Sequence, residues 1–261
     1  MFRRVIVAAL LLAAASASDA GAFEPRSTGV VLLHGKWGSP GDQTIGPLAQ
    51  ALQAAGFLVE QPEMPWSGRR LYDRPWDDAM REIDVAVDRV KARGASKTVI
   101  AGMSMGGGAA VGYAALGRPI DAVVLIAPAH APEGQNLQPK LAGMVASARD
   151  MVAAGHGDDS LGIMDFNNGD RNRSLRVAAA AFLSYFAPDG PAVMSLNAPK
   201  VGAAPVLWVD GTLDPSQRFF AQAVWPRVPA ATPKERVDVI CDHLDTPRTA
   251  RDIVVNWLRG R

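Results

Sequence analysis

The segment Gly102-Met103-Ser104-Met105-Gly106 is the part of the chain best suited to chemistry. It follows the β-rich run Thr98 to Ile100 and opens a stretch of small residues, Gly107 to Leu116, that reads as a helix. A serine on so tight a strand-to-helix turn must adopt a strained backbone, and the flanking glycines leave room for that turn against its neighbours. The turn lifts the hydroxyl above the sheet. It also sets the backbone N–H of Met105 at the positive end of the helix, where it can face a developing oxyanion. Lacking the strand before it and the helix after it, the same pentapeptide would be only a glycine-rich helix entry.

A serine hydroxyl is a poor nucleophile at neutral pH. It needs an imidazole as base, and the imidazole needs a carboxylate to fix its tautomer. The chain has four histidines, at 34, 130, 156 and 243. Only His243 lies between the last predicted strand and the last predicted helix. His130 follows a strand end, either lining a pocket or standing on the surface where an insertion begins, and His156 sits in a turn-rich linker that reads as solvent-exposed. Two carboxylates compete to orient the base: Asp210, at the end of the strand Val206 to Val209, and Asp214. Asp242 and Asp245 flank His243, but immediate neighbours rarely reach the far ring nitrogen, so they read as loop charges. Cys241 is more simply a small buried residue than a second nucleophile. No His, Cys, Asp and Glu cluster has metal-ligand spacing, and no G-x-G-x-x-G joins a strand to a helix, so neither metal nor nucleotide cofactor is expected.

The elements that must position these groups alternate along the chain. Candidate strands are Val30 to Leu33, Phe57 to Val59, Thr98 to Ile100, Ala122 to Ile126, Val206 to Val209 and Val237 to Ile240. Most are nearly continuous apolar runs, as expected for parallel strands buried on both faces. Ile45, Leu48 and Leu52 recur at helical spacing before Gly56, and Ala79, Ile83, Val87 and Val90 before Gly94, each glycine reading as a helix C-cap. Thr246-Pro247 reads as the cap pair of a final helix whose apolar face is Ile253, Val254, Trp257 and Leu258. The fold class is therefore α/β, with a mainly parallel sheet covered by helices on both faces. Residues from about 128 to 204 break the rhythm. They carry two helical segments, Leu137 to Ala154 and Arg173 to Phe186, with no convincing strand between, and read as an inserted helical cap. Its linkers are Gly155 to Asp159 and Asn167 to Asp170, both dense in turn formers.

With the serine turn, the strand order and Val30-Val31-Leu32-Leu33-His34-Gly35 in view, the chain resembles the α/β-hydrolase superfamily from Val30 to the C-terminal helix. The resemblance implies that the loop after the first strand is the oxyanion loop. It offers the backbone N–H of Lys36, or alternatively Trp37, as second donor beside Met105, and His34 as a brace for that loop. It places the base at His243. In Pro205 to Pro215 it takes the acid three positions after Gly211, which is Asp214. The order Ser, Asp, His is the one this fold imposes. Only about seven residues separate the expected leader cleavage point from the first parallel strand, leaving little room for the family's opening antiparallel pair, so a reduced sheet of about six strands is expected.

The activity so implied is hydrolysis of a carboxylic ester through an acyl-enzyme, with Ser104, Asp214 and His243 as the catalytic set. Amidase, peptidase or thioesterase chemistry stays open on the same fold, as does an idle hydrolase fold used as an exported binding partner. Trp37 beside the oxyanion loop and His130, Phe182 and Tyr185 in the cap are candidate pocket residues, and the cap also offers Met144, Met151, Met164, Phe166 and Phe186.

Composition bounds the setting. With 261 residues, 48% hydrophobic and 20% charged, the chain can bury one large core. A formal charge of +1 supplies no field to gather nucleic acid. Arg3 and Arg4 precede the apolar run Val5 to Ala15, and small residues end at Ala20-Gly21-Ala22, the layout of a secretory signal peptide over residues 1–22 cleaved after Ala22, or else after Ala17. The apolar run is well short of the ~20 residues that span a bilayer. Cys241 is the only cysteine, so neither a lipid-bearing cysteine nor an intrachain disulfide is available. The expectation is an exported, periplasmic or extracellular enzyme with no stable membrane anchor and a small-molecule acyl substrate.

Overall fold

The computed structural model describes residues 23–167 and 171–261. The signal-peptide reading, residues 1–22, lies outside the described residues, as do residues 168–170 of the second turn-rich linker. The elements run β1 (Thr28–Leu33), α1 (Gly46–Ala54), β2 (Leu58–Glu60), α2 (Trp76–Ala92), β3 (Lys97–Met103), α3 (Met105–Ala114) and β4 (Ala122–Ile126). They continue with α4 (Gln138–Ala153), β5 (Ser160–Phe166), β6 (Asn172–Ala178), α5 (Ala179–Phe186) and α6 (Met194–Asn197). The chain ends with β7 (Val206–Gly211), α7 (Gln217–Ala223), β8 (Lys234–Val239) and α8 (Thr246–Arg259).

Six of the strands form one sheet in the order β2-β1-β3-β4-β7-β8, and every neighbouring pair is parallel. Because side chains alternate faces along a strand, each apolar run serves two cores at once. Val31, Leu33, Ile100, Val123, Leu125 and Trp208 pack toward α2, α3 and the cap. Val30, Leu32, Val99, Ala101, Val124 and Leu207 pack toward α1 and α8. Fully burying a residue of this size is worth about 1.5–3 kcal/mol, so such a strand is held from both sides.

The expected helix stops are present in full. At the end of α1 the N–H of Gly56 donates to Gln53 O and that of Phe57 to Leu52 O, with Gly56 at φ 98°, the paired bonds of a Schellman cap. Gly94, at φ 99°, ends α2 similarly, with the N–H of Ala95 reaching Val90 O. Several strand boundaries shift from expectation, β3 running on to Met103 and β7 to Gly211, and two differences have a visible cause. β8 begins at Lys234 and ends before Ile240, which is exposed, because register with β7 pairs Lys234 with Val206 and Val239 with Gly211. Thr246 is already inside α8, its hydroxyl donating to Asp242 O rather than capping the helix.

The larger correction is in the cap. Between α4 and α5 the chain forms an antiparallel hairpin, β5 paired with β6, where two helical segments without a strand were expected. Residues 173–178 belong to β6, and only Ala179–Phe186 is helical. Leu175, Phe182 and Phe186 have helical spacing, which mimics one continuous helix. The pairing of Ile163 with Leu175 and of Leu161 with Val177 overrides it.

The sheet order also creates a crevice. From β1 the chain passes outward to β2, then returns across β1 to β3. The loops leaving the carboxyl ends of β1 and β3 therefore sit side by side at the point where the winding reverses, the usual ligand-binding edge of an open parallel sheet.

Candidate active site

Ser104 stands between β3 and α3 with φ 54° and ψ −122°, a conformation rare for any residue with a Cβ. Its N–H donates to Ile126 O, and its carbonyl accepts from Gly107, Gly108 and Ala129. The turn is tight enough that a Cβ on Gly102 would lie 2.1 Å from Gly106 O, and one on Gly106 would lie 2.5 Å from Leu33 O. Only glycine fits at either place. Met105 is the first residue of α3, so its N–H is among the donors a helix leaves without an intrahelical partner.

His243 lies in the loop between β8 and α8, buried, and its Nδ1–H donates to Asp214 Oδ2 at 2.5 Å. Oδ1 of Asp214 accepts from both the N–H and the hydroxyl of Ser216. Burial pushes the Asp214 carboxyl upward. The hydrogen bond and charge of His243, with the two Ser216 bonds, outweigh it and hold the carboxyl below the ordinary range. The rival Asp210 is engaged elsewhere, with Oδ2 3.2 Å from Arg236 Nε. Burial raises its pKa, against the pull of Trp208, Arg236 and Gln217. The two loops meet because residue 211 is glycine, where a Cβ would stand 2.6 Å from Cys241 O. Nε2 of His243 is buried with no hydrogen-bond partner among the described residues.

The loop after β1 closes the other side. A Cβ on Gly35 would lie 3.2 Å from Ser104 Cβ, so backbone and serine are in direct apposition. His34 does brace this loop. Its Nδ1–H donates to Gly35 O, its Nε2 accepts from Met64 N–H, and the indole of Trp66 donates to His34 O. Burial lowers its pKa despite the Gly35 bond, so the ring is neutral in the role its partners require. The N–H of Trp37 is taken by Trp66 O, which leaves Lys36 as the loop's candidate donor to the site.

Ser104, Met105, Asp214, His243, Lys36 and His130 share the wall of one cavity of about 1010 Å³. The pocket candidates divide. His130 lines the cavity, with Nε2–H donating to Tyr185 O at 2.6 Å. Burial, then the Lys36 charge, lowers its pKa to about 4, against the Tyr185 bond and Asp165. Trp37, Phe182 and Tyr185 do not line the cavity. The indole of Trp37 donates to Asp165, while Phe182 and Tyr185 are wholly buried among Tyr72, Trp76 and Phe186. These aromatic side chains close the seam between the cap and α2 with the loop before it. Phe166 is the one expected aromatic cap side chain that reaches the cavity. Phe219 and Phe220 of α7 also line it, though neither was anticipated. Their place in a helix just after the acid loop was the available signal.

A model of the alpha/beta hydrolase family matches residues 30–255 of the chain. No curated protein sequence matches it. Among solved structures it is similar to a monoacylglycerol lipase of Paleococcus ferrophilus, with TM-score 0.65 and 21% identity over 90% of this chain and 95% of the other. It is also similar to a highly thermostable carboxyl esterase of Bacillus coagulans, with TM-score 0.63 and 14% identity over 90% and 89% of the two chains. A third likeness is to a metagenome-derived lipolytic enzyme, with TM-score 0.62 and 18% identity over 91% and 95%. At these identities the likeness is one of fold.

Proposed function

The chain belongs to the alpha/beta hydrolase family, and from that premise we propose that it is a serine hydrolase that cleaves a carboxylic ester through an acyl-enzyme. The observation that carries this reading is the arrangement around His243. Nδ1 is tied to a buried carboxylate and Nε2 has no hydrogen-bond partner among the described residues, in a cavity that also receives the hydroxyl-bearing Ser104. Hydrolysis of esters is the chemistry in the names of similarly folded proteins, the carboxyl esterase and the monoacylglycerol lipase among them.

In the first half-reaction Ser104 Oγ attacks the ester carbonyl as His243 Nε2 takes its proton. Asp214 holds the imidazolium in place and in the correct tautomer. The carbonyl oxygen becomes an oxyanion facing the N–H groups of Met105 and Lys36. Collapse expels the alcohol, which leaves with the proton from Nε2. In the second half-reaction water is deprotonated by Nε2 and attacks the acyl-serine, and the carboxylic acid departs as Ser104 recovers its proton. The setting belongs to the same proposal. The charged, apolar and small-residue segments of residues 1–22 act as an export leader, and the mature enzyme works outside the cytoplasm.

A fluorophosphonate probe tests the mechanism. The wild-type protein is expected to take one label, Ser104→Ala none, with ester turnover reduced by about 10⁶. Equal labelling of the two proteins would refute Ser104 as nucleophile.

A further inference from the structure

Among the described residues Asp165 is the most deeply buried carboxylate. It lies on β5 of the cap hairpin, at an inward position where the alternation of Leu161 and Ile163 calls for an apolar residue, and it is 0% exposed. Oδ1 accepts from Lys36 Nζ at 2.7 Å, and Oδ2 from the indole of Trp37 at 2.8 Å and the hydroxyl of Tyr72 at 2.7 Å. Lys36 Nζ also donates to Phe166 O and lies 5.0 Å above the ring of Phe186. Burial, reinforced by the Asp165 charge, raises the pKa of Tyr72 well above its ordinary value, so the phenol is a permanent donor.

Stability alone is a weak reason for such a cluster. Withdrawing a carboxylate and an ammonium from water costs several kcal/mol per ion, and a well-packed apolar pair of similar volume often does as well. The partners suggest another reason. Lys36 and Trp37 are consecutive residues of the loop after β1, Trp37 is held at φ 58° with its N–H bound to Trp66 O, and the mechanism proposed above takes the backbone N–H of Lys36 as the loop's donor to the reacting oxygen.

Resting on the serine-hydrolase reading above, we propose that Asp165 is a positioning residue for the oxyanion loop. From the cap, its carboxylate clamps the side chains of Lys36 and Trp37 and so holds the Lys36 amide where the tetrahedral intermediate needs it. A donor displaced by about an ångström loses most of its value in the transition state while hardly affecting substrate binding. The cap is thereby part of the catalytic apparatus and not only a cover.

The test is Asp165→Asn on a soluble ester such as p-nitrophenyl acetate. The expected result is a fall in kcat of about 10²-fold with KM changed less than about threefold, and complete but slower labelling of Ser104 by a fluorophosphonate. Lys36→Met keeps the amide and loses the tether, so it should also lower kcat. The double variant should be no worse than Asp165→Asn alone, because both act through one loop. A folded Asp165→Asn protein with wild-type kcat, altered only in melting temperature or KM, overturns the proposal. If that variant does not fold, the decision passes to Trp37→Phe and Tyr72→Phe, which each remove one donor. A kcat lowered in either supports the clamp, and unchanged kcat in both overturns it. Absence of labelling and turnover in the wild-type protein would instead refute the serine-hydrolase reading, and this proposal with it.

Discussion

The two halves of the site are built by different means. Around Ser104, backbone packs directly on backbone: Gly102 against Gly106, Gly106 against Leu33 and His34, and Gly107 against Pro128. Around His243 and Asp214 the backbones meet so closely only at Gly211, against Cys241 O, and the two side chains are held by polar contacts, chiefly the Asp214–His243 bond, the two Ser216 bonds and the bond from Leu213 N–H to Cys241 O. Close-packed backbone has almost no way to relax, whereas a hydrogen-bonded side chain can be replaced while the loop stays in place. Substitutions that crowd the glycines of the serine half should therefore fail by unfolding, and those of the polar side chains Asp214 and His243 by losing turnover in a folded protein.

The sharpest way to break this contrast is Asp214→Asn. It conserves shape but presents the wrong hydrogen-bonding partner to His243 Nδ1–H, and kcat should fall about 10⁴-fold, or about 5 kcal/mol. Urea unfolding of the same protein should show a stability within about 1 kcal/mol of wild type. A large loss of stability would mean that the acid–base half is as structural as the serine half.

Next in size is Gly102→Ala, which drives a methyl group into Gly106 O and C at 2.1 and 2.3 Å. A loss of about 4 kcal/mol of stability is expected, well above the common range for point substitutions. A denaturation midpoint equal to that of wild type would show that the turn relaxes after all.

The smallest effect concerns pH. The loops that carry His34 and His130 both touch the serine turn through their backbones, at Gly106 and at the Ala129–Ser104 bond, and burial lowers both histidine pKa values, that of His130 to about 4. Below about pH 6.5 the unfolded chain takes up protons that the folded rings refuse, so stability falls as pH falls. For His130 the loss levels off near pH 4 at roughly 3 kcal/mol. Asp214 acts in the same direction but in a lower pH window. Its folded carboxyl is held below the ordinary range, so its contribution is intact above about pH 3.9 and is lost only as pH falls through the folded value. Between pH 7 and 4 the acid sensitivity should therefore come from the serine side. Urea midpoints of wild type and His130→Asn across that range test it, and parallel slopes for the two proteins would count against it.

Much of this was legible because it is local. Gly56 and Gly94 end helices through bonds to residues three to five positions back, and the serine pentapeptide needs only the strand before it and the helix after it. Continuous apolar strands such as Ala122–Ile126 announce burial on both faces whatever lies beyond.

The rest depended on partners distant in the chain. The choice between Asp210 and Asp214 turns on which loop meets His243 and which carboxylate meets Arg236, contacts made only after β7 and β8 pair. The hairpin β5–β6 was hidden because its strands are half exposed and Asp165 interrupts the inward alternation. That residue's partner Lys36 lies 129 positions earlier. Trp37, Phe182 and Tyr185 are aromatic side chains that would suit a pocket or a core, and the fit of the cap against α2 and the loop after β1 assigned them to the seam.

The sequence by itself determined the parallel sheet, its order of elements and the strained serine at a strand end, since hydrophobic period and glycine placement act over a few residues. The tertiary structure decided which carboxylate meets His243, which side chains line the cavity and which cap residue meets the loop after β1. Those choices rest on burial and hydrogen bonds between residues that only the folded chain brings within reach.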